Sequence, residues 1–304
     1  MASRAPCENR SVARRAETET PQLRILPLEP VPLAVWEWAG ADDIPPLLFA
    51  HATGFHGRLW DTIIRALPGR RAYALDLRGH GRSGKPAPPY HWRSFGEDVA
   101  GMARALGLRG AIGIGHSSGG YATVLAAALA PAVFRSVLAI DPTIFSPERY
   151  SEPKLDASFT LRRKNHFVSP EEMIGRFRER PPFARWKPDI LRDYCRFGLL
   201  PENGHFVLAC PPAVEASIYA ESNAPESDIY KEIATVTQPV TVLRASVIRR
   251  PGAVNLSASP TAPDLACKFR NGRDVPLLDQ SHFIPMEVPE RVIEEIQKLL
   301  TADC

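Results

Sequence analysis

Ala111-Ile112-Gly113-Ile114-Gly115-His116-Ser117-Ser118-Gly119-Gly120 is the stretch on which the reading of this chain turns. A short apolar run with the length of a buried strand enters a Gly-x-Ser-x-Gly turn, and Tyr121 to Ala130 then carries apolar residues at helical spacing. So sharp a strand-to-helix turn forces its central residue into strained backbone angles and brings neighbouring chain close, so the flanking positions need side chains no larger than hydrogen. Ser117 is expected to stand at the sheet edge, a nucleophile elbow. The helix behind it directs amide N–H groups and a positive dipole end toward the place where an oxyanion forms. Alone, the pentapeptide also fits an ordinary Gly/Ser turn, so its meaning depends on its company.

That company falls in a telling order. Leu47-Leu48-Phe49-Ala50 reads as a buried strand and runs into the small-residue loop His51-Ala52-Thr53-Gly54-Phe55-His56-Gly57. Ala72-Tyr73-Ala74-Leu75 is another strand, ending in Asp76-Leu77-Arg78-Gly79-His80-Gly81-Arg82-Ser83-Gly84. Near the C-terminus, Asp279-Gln280-Ser281-His282-Phe283 places a histidine between the strand-like Val275 to Leu278 and a final helix. With these four motifs the chain resembles the α/β-hydrolase superfamily, in its lid-bearing branch of small esterases, C–C bond hydrolases and lactonases. The resemblance spans Leu23 to Leu300.

Periodicity places strands near Arg24 to Leu28, Ala34 to Ala39, Leu47 to Ala50, Ala72 to Asp76, Ala111 to Ile114, Val133 to Ile140, Val240 to Arg244 and Asp274 to Leu278, with helices between most of them. Such alternation predicts an α/β fold: a mainly parallel eight-stranded sheet, helices on both faces, and an antiparallel pair at the N-terminal edge. Active groups then gather at the strands' carboxyl ends. Between Thr143 and Ile233 the alternation stops. This Pro-, Arg- and aromatic-rich stretch carries helical patches at Pro170 to Glu179, Pro188 to Phe197 and Pro211 to Ala220. An insertion there, after the sixth strand, looks like the family's helical lid. The expected organisation is a disordered leader over 1–22, a hydrolase core over 23–142 and 234–304, and a lid over 143–233. Phe159, Phe167, Phe177, Phe183, Trp186, Tyr194 and Phe197 are candidates to line an apolar cavity under it, with packing of lid on core as the plainer role.

Composition narrows the class. Charged residues at 23% and hydrophobic ones at 44% fit a soluble globular domain, and the net charge of +3, without a basic block interleaved with aromatics, argues against a nucleic-acid partner. Apolar stretches fall short of a membrane span, and residues 1–20 carry no apolar signal core. Cys7, Cys195, Cys210, Cys267 and Cys304 have neither paired nor metal-type spacing, which favours reduced thiols in the cytoplasm. No cofactor or metal is implied. The expected partner is a small-molecule substrate, with no membrane, for a monomer or homodimer.

A serine hydroxyl becomes a good nucleophile when a neighbouring imidazole takes its proton. The resemblance assigns Ser117 as nucleophile and His282 as base, in the family's order of serine, acid, histidine. The acid departs from the common pattern. The strand Val240 to Arg244 is followed by Ala245-Ser246-Val247-Ile248-Arg249-Arg250-Pro251, which holds no Asp or Glu. Asp141, at the end of the sixth strand in Ile140-Asp141-Pro142, is the better candidate, because some relatives carry the acid there. Asp264 and a triad completed by no carboxylate stay as alternatives, and a capping role is the plainer reading of Asp141. The oxyanion hole is expected from the backbone N–H groups of Thr53 and Ser118. His51 reads as a brace for its loop, and Asp76, Arg78 and His80 as structural.

The implied activity is a serine hydrolase that acylates Ser117 from a small or medium, largely apolar ester, thioester or lactone. C–C bond hydrolysis of a keto acid is the alternative, motivated by Arg162, Arg163, Arg178 and Arg196 in the insertion. Their acidic neighbours Glu171, Glu172, Glu179 and Asp193 favour a mixed-charge surface instead. A non-hydrolytic receptor or lyase of the same fold is the other class. Dehalogenase and epoxide hydrolase chemistry is disfavoured, because those relatives use aspartate where this chain has Ser117.

Overall fold

The computed structural model describes residues 20–41, 44–246 and 255–301. Its centre is an eight-stranded sheet in the order β1-β2-β4-β3-β5-β6-β10-β11. The strands are β1 (Gln22–Leu26), β2 (Leu33–Trp38), β3 (Leu47–Ala50), β4 (Ala72–Leu75), β5 (Ala111–His116), β6 (Phe134–Ile140), β10 (Val240–Ala245) and β11 (Gly272–Leu277). β2 pairs antiparallel with both β1 and β4, and every other pairing is parallel. The N-terminal strands thus form the antiparallel edge expected from their position. β1 begins at Gln22, inside the stretch assigned to a leader. The rest of that assignment, residues 1–19, lies outside the described residues.

Register places the site. Ala50 pairs with Leu75 and with Gly115, His116 with Ile140, Leu243 with Ile140, and Ala245 with Leu277. The strands therefore end on one rim, and the loops beginning at His51, Asp76, Ser117, Asp141, Ser246 and Leu278 all leave from it.

Alternation along each strand splits the core into two layers. Ile112 and Ile114 of β5 pack with Leu47, Phe49, Leu138, Ile140 and Leu243 beneath helices α1 (Asp61–Arg65) and α10 (Pro289–Thr301). The opposite face of β5 presents Gly113 and Gly115, and there α3 (Ser118–Leu129) lies close: a Cβ at Gly113 would sit 2.7 Å from Thr123 Cγ2. Because α3 is covered on its other side by α2 (Arg93–Ala105), Tyr121 to Ala127 are buried all round, as their unbroken apolar sequence requires.

Between β6 and β10 the chain leaves the sheet. This insertion carries helices α4 (Ser158–Leu161), α5 (Pro170–Phe177), α6 (Pro188–Phe197), α7 (Pro212–Ala220) and α8 (Tyr230–Ile233). It is not purely helical as the sequence suggested. β7 (His166–Phe167), β9 (His205–Leu208) and β8 (Leu199–Glu202) form a small antiparallel sheet, its β8–β9 hairpin turning through Asn203 and Gly204, both at positive φ. The two- and four-residue strands are too short to show a period of two against the aromatic background. Phe167, Trp186, Ile190 and Tyr194 of the insertion pack on Phe55, Leu59, Phe283 and Met286 of the core. Among the described residues no helix is long and apolar enough to cross a membrane.

Candidate active site

The elbow is as tight as its glycines suggest. Ser117 has φ 56° and ψ −118°, a conformation costing on the order of 1–3 kcal/mol that surrounding structure must hold. A Cβ on Gly115 would lie 2.3 Å from the carbonyl oxygen of Gly119, and one on Gly119 would lie 2.2 Å from that of Ala50. Both positions accept glycine for close approach, since neither has a positive φ.

Ser117 Oγ is 2.9 Å from His282 Nε2, and His282 Nδ1 is 2.6 Å from Asp141 Oδ2. The three side chains named from the sequence are thus one hydrogen-bonded chain, with Asp141 fully buried. Asp141 has φ 40°, a left-handed conformation that Asp tolerates better than most residues. This turn aims the carboxylate across the end of β10 toward His282. Asp264 is remote from this arrangement: it is exposed and pairs with Lys268 at 2.7 Å.

Three contacts were not foreseen in the sequence. The first is Thr143, whose Oγ1 lies 3.1 Å from Ser117 Oγ while its N–H donates to the Ser117 carbonyl at 3.1 Å. The second is His116, the variable residue inside the elbow. Its Nε2 donates to the His282 carbonyl at 2.8 Å, and burial drives its basicity well below that of a free imidazole. The third is the segment after β10, which supplies hydroxyls where the common pattern has an acid. Asp141 Oδ1 accepts from Ser259 Oγ at 2.6 Å and from the Ala245 N–H at 3.0 Å, with Thr261 Oγ1 at 3.1 Å. The His282 N–H donates to the Ser257 carbonyl at 2.9 Å. Residues 247–254 of the same segment lie outside the described residues. Serine and threonine are common in loops, so only the missing carboxylate signalled that this segment does something unusual.

Thr53 and Ser118, assigned to the oxyanion hole, are neighbours: Thr53 Oγ1 donates to Ser118 Oγ at 3.1 Å. Among the described residues neither backbone N–H meets an acceptor, and Ser118 opens α3, where amides lack intrahelical partners. The loop is held by histidines. His51 Nδ1 donates to the Ala52 carbonyl at 2.8 Å while Nε2 accepts from the Leu77 N–H at 2.9 Å, and burial lowers its pKa to about 3. His80 Nε2 accepts from the Gly54 N–H at 2.9 Å. Asp76 accepts from the Gly57 and Arg82 amides at 2.7 and 2.9 Å, and Arg78 forms a bidentate pair with Asp98.

A cavity of about 530 Å³ opens over Ser117 and His282. Of the aromatics named from the sequence, Phe159, Phe177, Phe183 and Tyr194 line it. Phe167 and Trp186 are instead buried between insertion and core, and Phe197 lies under the Arg58 guanidinium at 3.9 Å. Of the four arginines, Arg163 alone lines the cavity, paired with Glu215, whereas Arg162 and Arg196 are exposed and Arg178 pairs with Glu179 at the surface. Among the described residues no group of His, Cys, Asp or Glu side chains is placed to hold a metal ion.

A mainly parallel eight-stranded sheet with helices on both faces, a Gly-x-Ser-x-Gly elbow at its central strand and a histidine from the last strand-to-helix loop defines the α/β-hydrolase class. The chain belongs to the alpha/beta hydrolase family, whose model matches residues 47–295. It is similar to the 2-(acetamidomethylene)succinate hydrolase of Mesorhizobium japonicum, 28% identical over 263 residues that make up 85% of this chain and 88% of the relative. A crystal structure of E-2-(acetamidomethylene)succinate hydrolase matches with a TM-score of 0.74 at 25% identity, covering 91% of this chain and 98% of that one. An esterase of Mycobacterium tuberculosis is 30% identical over 128 residues, 40% of each chain.

Proposed function

We propose that the protein is a serine hydrolase that cleaves a small or medium ester, thioester or lactone through an acyl-enzyme on Ser117, beneath a lid formed by residues 143–233. The observation that carries this reading is the unbroken Asp141–His282–Ser117 hydrogen-bond chain on the floor of an apolar cavity. Ser117 Oγ attacks the acyl carbon as its proton passes to His282 Nε2. The imidazolium keeps its Nδ1–H on Asp141 Oδ2, which fixes the ring and balances its charge. Charge developing on the carbonyl oxygen meets the Thr53 and Ser118 amides, each such donor contributing about 3 kcal/mol in comparable sites. His282 then protonates the leaving group. In the second half, water gives its proton to His282 and attacks the acyl carbon, and the proton returns to Ser117 Oγ as the acid leaves.

The substrate in the name of the Mesorhizobium relative is a succinate, with two carboxylates. Such a dicarboxylate is disfavoured here, because the Arg163 that lines this cavity is already engaged by Glu215. A fluorophosphonate probe tests the reading: the wild type is labelled and Ser117→Ala is not. A folded wild type that stays unlabelled argues for a receptor or lyase role of the same fold.

A further inference from the structure

We infer that the acyl pocket selects a neutral acyl group ending in a hydrogen-bonding function such as a carboxamide, which docks on the Arg163–Glu215 pair, and that it discriminates against acyl groups ending in a carboxylate. This rests on the hydrolase reading and narrows its substrate class.

The pair is built into the cavity wall. Arg163 Nη1 donates to Glu215 Oε2, Arg163 Nη2 donates to Tyr194 Oη at 3.1 Å, and Glu215 is 4% exposed. A Cβ at Gly54 would lie 3.1 Å from Glu215 Oε1, so the carboxylate rests against the loop that carries the Thr53 amide. The pair therefore lines the same cavity as Ser117 and His282. Two further observations set what it accepts. Among the described residues Glu215 Oε1 has no hydrogen-bond donor and the Nε–H of Arg163 no acceptor, and a guanidinium carries five N–H donors, of which this one uses two. A purely apolar acyl tail that covers those groups leaves them desolvated and unmet, an expensive state. A terminal carboxamide offers both an acceptor and a donor.

Charge excludes the anion. The Arg163 guanidinium is neutralised by Glu215, and Arg149, which also lines the cavity, pairs with Glu152. Burial already pushes the Glu215 carboxyl upward while Arg163 pulls it back. A second carboxylate sharing that guanidinium would face Glu215 at close range with little water between them.

Three p-nitrophenyl esters of similar acyl length test this: the adipamate, the hydrogen adipate and the hexanoate. The wild type is expected to show kcat/KM at least 10-fold higher for the adipamate than for the hydrogen adipate, with the hexanoate below the adipamate. Glu215→Gln releases Arg163 and should shift the carboxamide-to-carboxylate ratio at least 10-fold toward the carboxylate. Arg163→Met with Glu215→Gln should bring the ratio close to one. A wild type that prefers the hydrogen adipate, or a Glu215→Gln ratio equal to the wild type's, overturns the proposal. Should Glu215→Gln not fold, the wild-type ranking decides. Turnover of none of the three, with Ser117 unlabelled by fluorophosphonate, removes the hydrolase reading itself.

Discussion

Ser259 Oγ donates to Asp141 Oδ1 at 2.6 Å, so the carboxylate facing His282 is held by the very segment from which an acid is missing. The carboxylate stands at the end of β6, and the end of β10 with the loop after it surrounds it with the Ala245 amide and the Ser259 and Thr261 hydroxyls. A buried carboxylate needs such donors, because a polar group removed from water without hydrogen bonds is costly. Asp141→Asn removes the charge and favours the wrong imidazole tautomer, and should lower kcat by about 10⁴. Ester turnover of the purified variant measures this. A near-normal rate would take Asp141 out of the mechanism.

Ser259→Ala leaves Asp141 Oδ1 with the Ala245 amide and Thr261. Loss of one hydrogen bond to a charged group costs roughly 1.5–3 kcal/mol, expected as a lower urea midpoint. The fall in kcat should be much smaller than for Asp141→Asn, because the Oδ2 contact to His282 stays. Equal losses in the two variants would show that the segment acts directly on the reaction.

Thr143 grips Ser117 through backbone and hydroxyl together. Thr143→Val keeps the shape and removes the hydroxyl, so kcat should fall by roughly 2- to 10-fold, the equivalent of one neutral hydrogen bond. Thr143→Ser should restore the rate. Failure of serine to rescue would assign the effect to packing.

Gly119→Ala places a Cβ 2.2 Å from the Ala50 carbonyl oxygen. The elbow must separate from β3, at a cost of about 1–3 kcal/mol or more. Thermal unfolding should show the loss, and fluorophosphonate labelling of Ser117 should fall with it. Unchanged melting and labelling would mean that the turn is looser than described.

His51 and His56 set an acid limit. Burial lowers their pKa values to about 3 and about 4 from an ordinary 6.5. The unfolded chain therefore binds more protons than the folded one below pH 6.5, and stability is full above that value and falls as pH drops through it. The loss continues to about pH 4 for His56 and about pH 3 for His51. Each should remove roughly 1 kcal/mol between pH 6.5 and 5.5. Urea midpoints at pH 7.5, 6.5 and 5.5 measure the slope, and a flat profile would contradict neutral buried rings.

Much of this was legible because the informative residues sit where the sheet fixes them. Alternation and short apolar runs located all eight strands, and the rim follows from their register. Gly115 and Gly119 announced close packing, and Ile140-Asp141 announced a carboxylate at a strand end. Thr143, His116, Ser259 and Thr261 did not stand out, because their roles arise from meetings across β5, β6, β10 and the last loop that no local spacing encodes. The β7–β9–β8 sheet escaped notice for a related reason: its strands are shorter than the window in which a period can be recognised. Arg163 shows the opposite case, a residue singled out for its charge whose partner, Glu215, is supplied by helix α7, far along the chain.

Asp141, Pro142 and Thr143 are consecutive, and they supply in turn the carboxylate on His282, a wall against Gly120 and the clasp on Ser117. The next residue, Ile144, accepts from the Ala262 N–H at 2.8 Å. The stem of the insertion is thus woven around Ser117 and Asp141. Anyone replacing the insertion with a foreign segment should splice past Ile144, since a chimaera joined directly at the end of β6 would lose the contacts that Asp141 and Thr143 make with His282 and Ser117.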